Sequence, residues 1–310
     1  MSYLDSDITV ERKQLFDTLV DLFSHFITFC NDNELTYYVS GGTLLGTIRH
    51  KGFIPWDDDL DIMMPREDYD KMLDIVRRER NSSQYQFINP ETDPYYLKAF
   101  TRFVNKNTTM IPLKDALYKF NQGCFIDIFP IDRIPDNPKV REVYFRRCSL
   151  YWGILLALGR YRSKIGTLGL NVKKKCFYYI LFPFFLFKII TPTRLFKSFN
   201  AYASRYKSKK EKAKDVGTVM FSGSNPRCIF KPEYIGDVLS MPFESITVSV
   251  PKGYDAILSN EYGDYMTPVR QPTEHGDTVF DPNVPYDEYK KQNKDFLASE
   301  FFKRKTQSGV

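Results

Sequence analysis

Three aspartates carry the first chemical signal. Asp59 and Asp61 stand two apart in Asp59-Leu60-Asp61-Ile62-Met63-Met64, a run that reads as a strand. Residues two apart on a strand share a face, so both carboxylates are expected to project together while Leu60 and Ile62 are buried. Side by side they repel, and in an apolar setting both stay ionised only with a cation between them. Oxygen ligands of this kind suit Mg²⁺ or Mn²⁺. The competing reading is a solvated acidic turn, since Asp57 and Asp58 precede the pair. Asp127 lies inside the apolar run Phe125-Ile126-Asp127-Ile128-Phe129, where a charge needs a partner. Either a metal shared with Asp59 and Asp61 or a basic side chain such as Arg102 would supply it.

The second signal is Ser40-Gly41-Gly42-Thr43, at an expected strand-to-helix turn. Glycines let backbone N–H groups approach a phosphate, and the positive end of a helix dipole favours the anion. An ordinary tight turn is the alternative. The Gly41 to Gly46 spacing superficially suits a P-loop, but Thr47-Ile48 stands where Lys-Ser/Thr is required, which excludes a P-loop NTPase. Arg49, His50 and Lys51 follow and would neutralise leaving-group charge, unless they form a solvated loop.

A glycine turn, a strand with Asp-x-Asp and a third Asp in a later strand, in that order, resembles the nucleotidyltransferase superfamily of the DNA polymerase β type. More narrowly, the run from Tyr38 through Ser40-Gly41-Gly42-Thr43-Leu44-Leu45-Gly46 and Arg49-His50-Lys51-Gly52 to Trp56-Asp57-Asp58-Asp59-Leu60-Asp61-Ile62 looks like the signature of the LicD family, bacterial phosphocholine transferases related to the fukutin proteins. Phe125-Ile126-Asp127-Ile128-Phe129-Pro130-Ile131-Asp132 agrees, as does Tyr262-Gly263-Asp264-Tyr265-Met266 with Pro268 and His275. The resemblance implies an enzyme moving phosphocholine from CDP-choline to a hydroxyl of a cell-envelope glycan, a teichoic acid precursor or lipopolysaccharide, with CMP released. Under it Asp59 and Asp61 are metal ligands. Asp127 is the third carboxylate, completing a metal site or accepting the hydroxyl proton. Gly41, Gly42 and Thr43, with Arg49, His50 and Lys51, hold the donor diphosphate. Tyr262, Asp264, Tyr265 and His275 either close over the nucleotide or pack the C-terminal helix. Choline is a quaternary ammonium, for which an aromatic cage is expected, and Trp56 beside the acidic run is the first candidate. Two other readings stand beside this one: transfer of ribitol- or glycerol-phosphate from its CDP donor, and a non-enzymatic membrane- or anion-binding protein.

These groups need elements to position them. Val10 to Cys30 has apolar residues at helical spacing, Tyr37 to Val39 reads as a short strand, and Leu44 to Ile48 as a helical turn. Pro65 is placed to open a helix carrying Tyr69, Met72, Leu73 and Val76. Phe100 to Val104, Cys124 to Phe129 and Phe243 to Val250 read as strands, and Tyr254 to Tyr262 as a helix. The fold expected is α+β: a polymerase-β-like nucleotidyltransferase core over residues 1–138, a basic helical insert over 139–215, and a C-terminal part over 216–310 packing back on the core.

Five scattered cysteines without a CxxC argue against a disulfide framework and a thiolate zinc site. Three isolated histidines and no GxSxG elbow argue against zinc and serine hydrolases, and His25 reads as structural. Of the 310 residues, 44 are Lys or Arg and 38 Asp or Glu, a net +6. That average conceals a split, because residues 139–214 hold nineteen basic and two acidic residues and carry +17, leaving −11 for the rest. The apolar stretch Cys176 to Ile190, interrupted by Pro183, is about 22 Å long as a helix and too short to span a bilayer. Flanked by Lys173-Lys174-Lys175 and by Lys188, Arg194 and Lys197, it reads as an interfacial anchor on an anionic leaflet or as a buried helix of the insert. Met1 to Val10 lacks a basic or apolar run, so no secretory signal is expected. The expected location is cytoplasmic, peripheral on the inner face of the cell membrane beside a lipid-linked glycan, with no role for nucleic acid.

Overall fold

A computed structural model describes residues 9–78, 84–223, 225–269 and 277–307. The chain opens with α1 (Val10–Asp32), whose Leu15, Leu19, Leu22, Phe23 and Phe26 recur every three or four residues and are buried. Thr9 caps it, its hydroxyl accepting from Arg12 N at 3.2 Å. There follow β1 (Tyr38–Val39), α2 (Gly41–Arg49), β2 (Asp61–Pro65) and α3 (Arg66–Arg78). Tyr69, Met72, Leu73 and Val76 form the buried stripe of α3. Pro65 ends β2 rather than opening α3, one residue from its expected place. Next come β3 (Tyr85–Ile88), β4 (Thr101–Asn105), β5 (Thr109–Pro112) and the long β6 (Cys124–Ile134).

Pro138 to Ala203 is helical: α4 (Pro138–Arg162), α5 (Val172–Leu186) and α6 (Pro192–Ala203). Beyond it lie β7 (Asp215–Thr218), α7 (Val219–Ser222), β8 (Ile229–Phe230), β9 (Val238–Phe243), β10 (Ile246–Pro251), α8 (Tyr254–Tyr262), β11 (Thr278–Asp281), α9 (Tyr286–Gln292) and α10 (Lys294–Gln307).

The main sheet is mixed, in the order β1-β2-β6-β4-β3. β6 runs parallel to β2, with Asp127 opposite Asp61, and antiparallel to β4, with Asp127 opposite Arg102. Its far half takes β7 antiparallel, and β7 pairs with β8, so the chain returns to the same sheet after the helices. β4 is buried at every residue and β6 at all but one, so both faces of the sheet are covered. Phe196, Phe230, Phe243, Val250 and Leu258 share the core of α1, β2 and β6. A second apolar cluster joins α4, α5 and α6 to Leu97, Ala99 and Ile134.

Two expectations change. Phe243 to Val250 is not one strand: β9 ends at Phe243, the chain turns at Glu244 with φ +50°, and β10 runs back antiparallel from Ile246. Asp59 precedes β2, so it does not share a strand face with Asp61 by alternation. Consecutive aspartates fit a pleated strand poorly, and Asp57 to Asp59 form a loop instead, begun by Asp57 N donating to Ile54 O at 2.9 Å.

Candidate active site

The glycine turn sits where β1 enters α2. Ser40 makes no side-chain capping bond, so the first N–H groups of α2 are not closed off by their own cap. Gly41 has φ +53°, in the left-handed region that favours glycine, and a Cβ there would lie 3.4 Å from Asp61 Oδ2 and 4.0 Å from Tyr262 Oη. A Cβ on Gly42 would overlap Asp57 Oδ2. Both glycines therefore let the helix terminus and the carboxylates approach one another closely. Thr43 Oγ1 accepts from Asp61 N at 2.9 Å, tying the turn to the head of β2. Arg12 pins the acidic loop from outside, donating from Nη1 to Asp57 O at 2.6 Å.

These groups open on one cavity of about 550 Å³, within the usual size of a small-molecule site. Its walls include Gly41, Gly42, Arg49, Trp56, Asp59 and Asp61 from the N-terminal half, and Tyr262, Asp264 and Tyr265 from the end of α8 and beyond. Residues some two hundred positions apart thus meet in one place. Thr43 lies beneath the wall as a buried support. His50 and Lys51 are not part of the lining. His50 stands edge-on to Trp56 with ring centroids 6.5 Å apart, and burial together with the Arg49 charge lowers it to about 4, so it is neutral at pH 7. Lys51 is exposed with φ +59°. Arg49 donates to Tyr265 O at 2.8 Å, joining α2 to the segment after α8. His275 lies outside the described residues.

Asp127 has the basic partner that the sequence offered as one of two possibilities. Arg102 grips it through Nε to Oδ1 and through Nη2 to Oδ2 at 3.0 Å, with side chains only 1% and 7% exposed. The guanidinium also lies 3.5 Å from the Phe125 ring centroid. Asp57, Asp58 and Asp59 are the carboxylate group, among the described residues, whose ligand oxygens all lie within 4.8 Å of one another, and a metal could be held there. Burial raises the Asp59 carboxyl well above the usual range, and the charges of Asp61, Asp57, Asp58 and Asp127 raise it further. Such crowding is what a bound cation relieves, so this donor set fits a hard divalent ion.

Glu261 and Asp57 are lining residues that sequence reasoning passed over. Burial pushes the Glu261 carboxyl up to about 7, against a lowering hydrogen bond from Cys228. Its neighbour Tyr262 is raised by burial and by the charges of Glu261 and Asp61. The signal for Glu261 was its place one residue before the matched Tyr262-Gly263-Asp264-Tyr265 run.

Comparison with known proteins agrees with this geometry. Residues 34–147 match the family described as "LicD/FKTN/FKRP, nucleotidyltransferase domain", a span containing the glycine turn, the acidic loop, β2 and β6. The chain is 28% identical over 271 residues to the lipopolysaccharide cholinephosphotransferase LicD of Haemophilus influenzae, covering 84% of this chain and 92% of that protein. Shorter stretches match uncharacterized proteins of Rickettsia typhi, 39% identical over 20% of this chain and 22% of the relative, and Rickettsia prowazekii, 56% identical over 12% and 14%. The acidic loop and the glycine turn both lie inside the matched span, so residues 34–147 resemble the nucleotidyltransferase domain of LicD proteins, and the similarity to LicD over most of the chain marks it as a transferase.

Proposed function

We propose that this chain transfers phosphocholine from CDP-choline to a hydroxyl of a cell-envelope glycan, lipopolysaccharide or a teichoic acid precursor, and releases CMP. The observation that carries the reading is the single cavity in which the uncapped start of α2 faces the carboxylates of the acidic loop and β2. An acceptor built on a lipid carrier would be met at the inner face of the cell membrane, where the reading puts the protein.

The donor's diphosphate would lie against the N–H groups of Gly41 and Gly42, where a helix N-terminus favours an anion. Arg49 adds a positive charge on the same wall. Asp57, Asp59 and Asp61 would hold Mg²⁺ or Mn²⁺; when bound, such an ion neutralises the diphosphate and stabilises the departing phosphate oxygen. Asp127 joins that set only if Arg102 releases it. Thr43 keeps Asp61 in place through the backbone. The new bond forms between the acceptor oxygen and the choline phosphate, the bond to CMP breaks, and the acceptor's proton leaves to a base. Glu261, a wall carboxylate titrating near neutrality, is matched to that role. Trp56, Tyr262 and Tyr265 offer aromatic surface and Asp264 a carboxylate for the quaternary ammonium.

The test is CMP release with Mg²⁺ from CDP-choline, CDP-ribitol and CDP-glycerol, with lipopolysaccharide and membranes as acceptors. CDP-choline is expected to be the preferred donor. Asp61→Asn should lower the rate by more than about a hundredfold with the circular dichroism spectrum unchanged, beyond the loss typical of residues that only orient a ligand. A wild-type rate in Asp61→Asn would remove the metal site, and preference for CDP-ribitol or CDP-glycerol would reassign the donor.

A further inference from the structure

Helix α5 has two unlike sides. Tyr178, Leu181 and Phe185 are buried in the cluster shared with α4, and Tyr161 of α4 meets the rings of Phe182 and Phe185 at 5.6 Å. The remaining surface is apolar and open: Ile180 is 66% exposed, Phe184 43%, Leu186 54%, Phe187 73% and Ile189 58%. No charged residue stands between Lys175 and Lys188. A helix facing water carries polar side chains on that side, and a contiguous apolar surface of this kind marks a partner.

The charges around it identify the partner. Lys173, Lys174 and Lys175 are exposed in the first turn of α5, the positive end of its dipole, with no acidic residue there to offset them. Lys188 is exposed at the other end. Three lysines at the positive end of the dipole are unfavourable in isolation, and an anionic surface would offset them. A second copy of the chain is a poor occupant, because a twofold contact would set one basic rim against the other. A spanning role is also excluded by geometry, since no helix among the described residues is long and apolar enough to cross a membrane.

We infer that the open face of α5 and the turn through Phe187 and Ile189 bed into an anionic bilayer, with Lys173, Lys174, Lys175 and Lys188 at the level of the headgroups. The inference rests on the membrane location proposed above but not on the phosphotransfer chemistry, so it is tested without nucleotide. The full chain is floated with vesicles of phosphatidylcholine alone or with phosphatidylglycerol. Binding is expected only with the anionic lipid, and to weaken with salt as the charges are screened. Replacing Lys173, Lys174 and Lys175 with Ser should weaken it by about a hundredfold. The triple variant Ile180→Ser, Phe184→Ser, Phe187→Ser should weaken it at least about tenfold with an unchanged melting temperature, since all three side chains are exposed. Phe187→Trp should show a blue-shifted emission band on vesicles. Unchanged flotation of the triple variant would overturn the inference. So would failure of the wild type to float while the same substitutions dissolve a dimer seen by sedimentation. CMP release from a soluble acceptor would survive either result, so the two readings fail separately.

Discussion

Arg102 is the residue whose loss tests the electrostatics beside the site most directly. Its guanidinium is bound on two atoms by Asp127, and both side chains are almost fully buried. Arg102→Met keeps the stem's bulk and strands the Asp127 charge. Removing one partner of a buried pair costs about 3–5 kcal/mol, because the other is left uncompensated. Unfolding entropy of about 2.1 cal/mol/K per residue over 310 residues is about 0.65 kcal/mol/K, so the melting temperature should fall by about 5–8 °C. Adding Asp127→Asn removes the stranded charge at nearly constant shape and should return at least about half of that loss. Thermal melts by circular dichroism measure all three proteins. A double variant no more stable than Arg102→Met, or Arg102→Met melting with the wild type, would refute the claim that Arg102 balances Asp127. Mn²⁺ titration then separates the carboxylates: with Arg102 in place, Asp127→Asn should shift the midpoint less than about tenfold and Asp59→Asn more.

Three further outcomes follow from the same contacts. Gly46→Ala puts a Cβ onto the backbone carbonyl of Gly52, which cannot swing aside, so a loss of about 1–3 kcal/mol is expected by denaturant titration, and an unchanged midpoint would contradict the packing of α2 on that loop. Glu261 is raised in the fold to about 7 from an ordinary 4.5, so its protonated form favours the native state and stability should fall as pH rises from 4.5 through 7. As a base it is competent only above that value, so the rate should rise through pH 7, and Glu261→Gln should flatten both profiles. His50 is lowered to about 4 from 6.5, so the fold favours its neutral form; stability should drop as pH falls from 6.5 to 4, and His50→Asn should remove that drop in pH-dependent melts.

The elements that were legible in the sequence are those whose burial follows a local period. The stripes of α1 and α3 and the span of α8 were readable because a helix declares its buried face within two turns. The strands β3, β5, β7, β8 and β11 have two to four residues each, and most take partners far away in the chain, so nothing local marks them. Asp127 shows the limit in one residue. Its apolar neighbours demanded a partner, yet a cation and Arg102 satisfied the demand equally until the register put Arg102 directly opposite. Glu261 shows the converse, because an ordinary carboxylate in the sequence becomes a near-neutral acid only through burial beside Cys228.

The charge split gains a physical meaning from the fold. The −11 outside residues 139–214 includes the carboxylates of the cavity wall, and the basic stretch includes the lysines that flank α5. On the proposed reading the two charge groups answer to different partners. Crowded carboxylates can approach a diphosphate only when a cation stands between them, whereas exposed lysines around an apolar face attract an anionic surface directly. Chelating the metal should therefore stop transfer and leave vesicle binding intact, and raising salt should release vesicles while leaving transfer to a soluble acceptor largely intact, since buried charges are screened much less than exposed ones. A chain in which chelator and salt each abolished both properties would have a single site, and the separation of roles drawn from its charge pattern would be wrong.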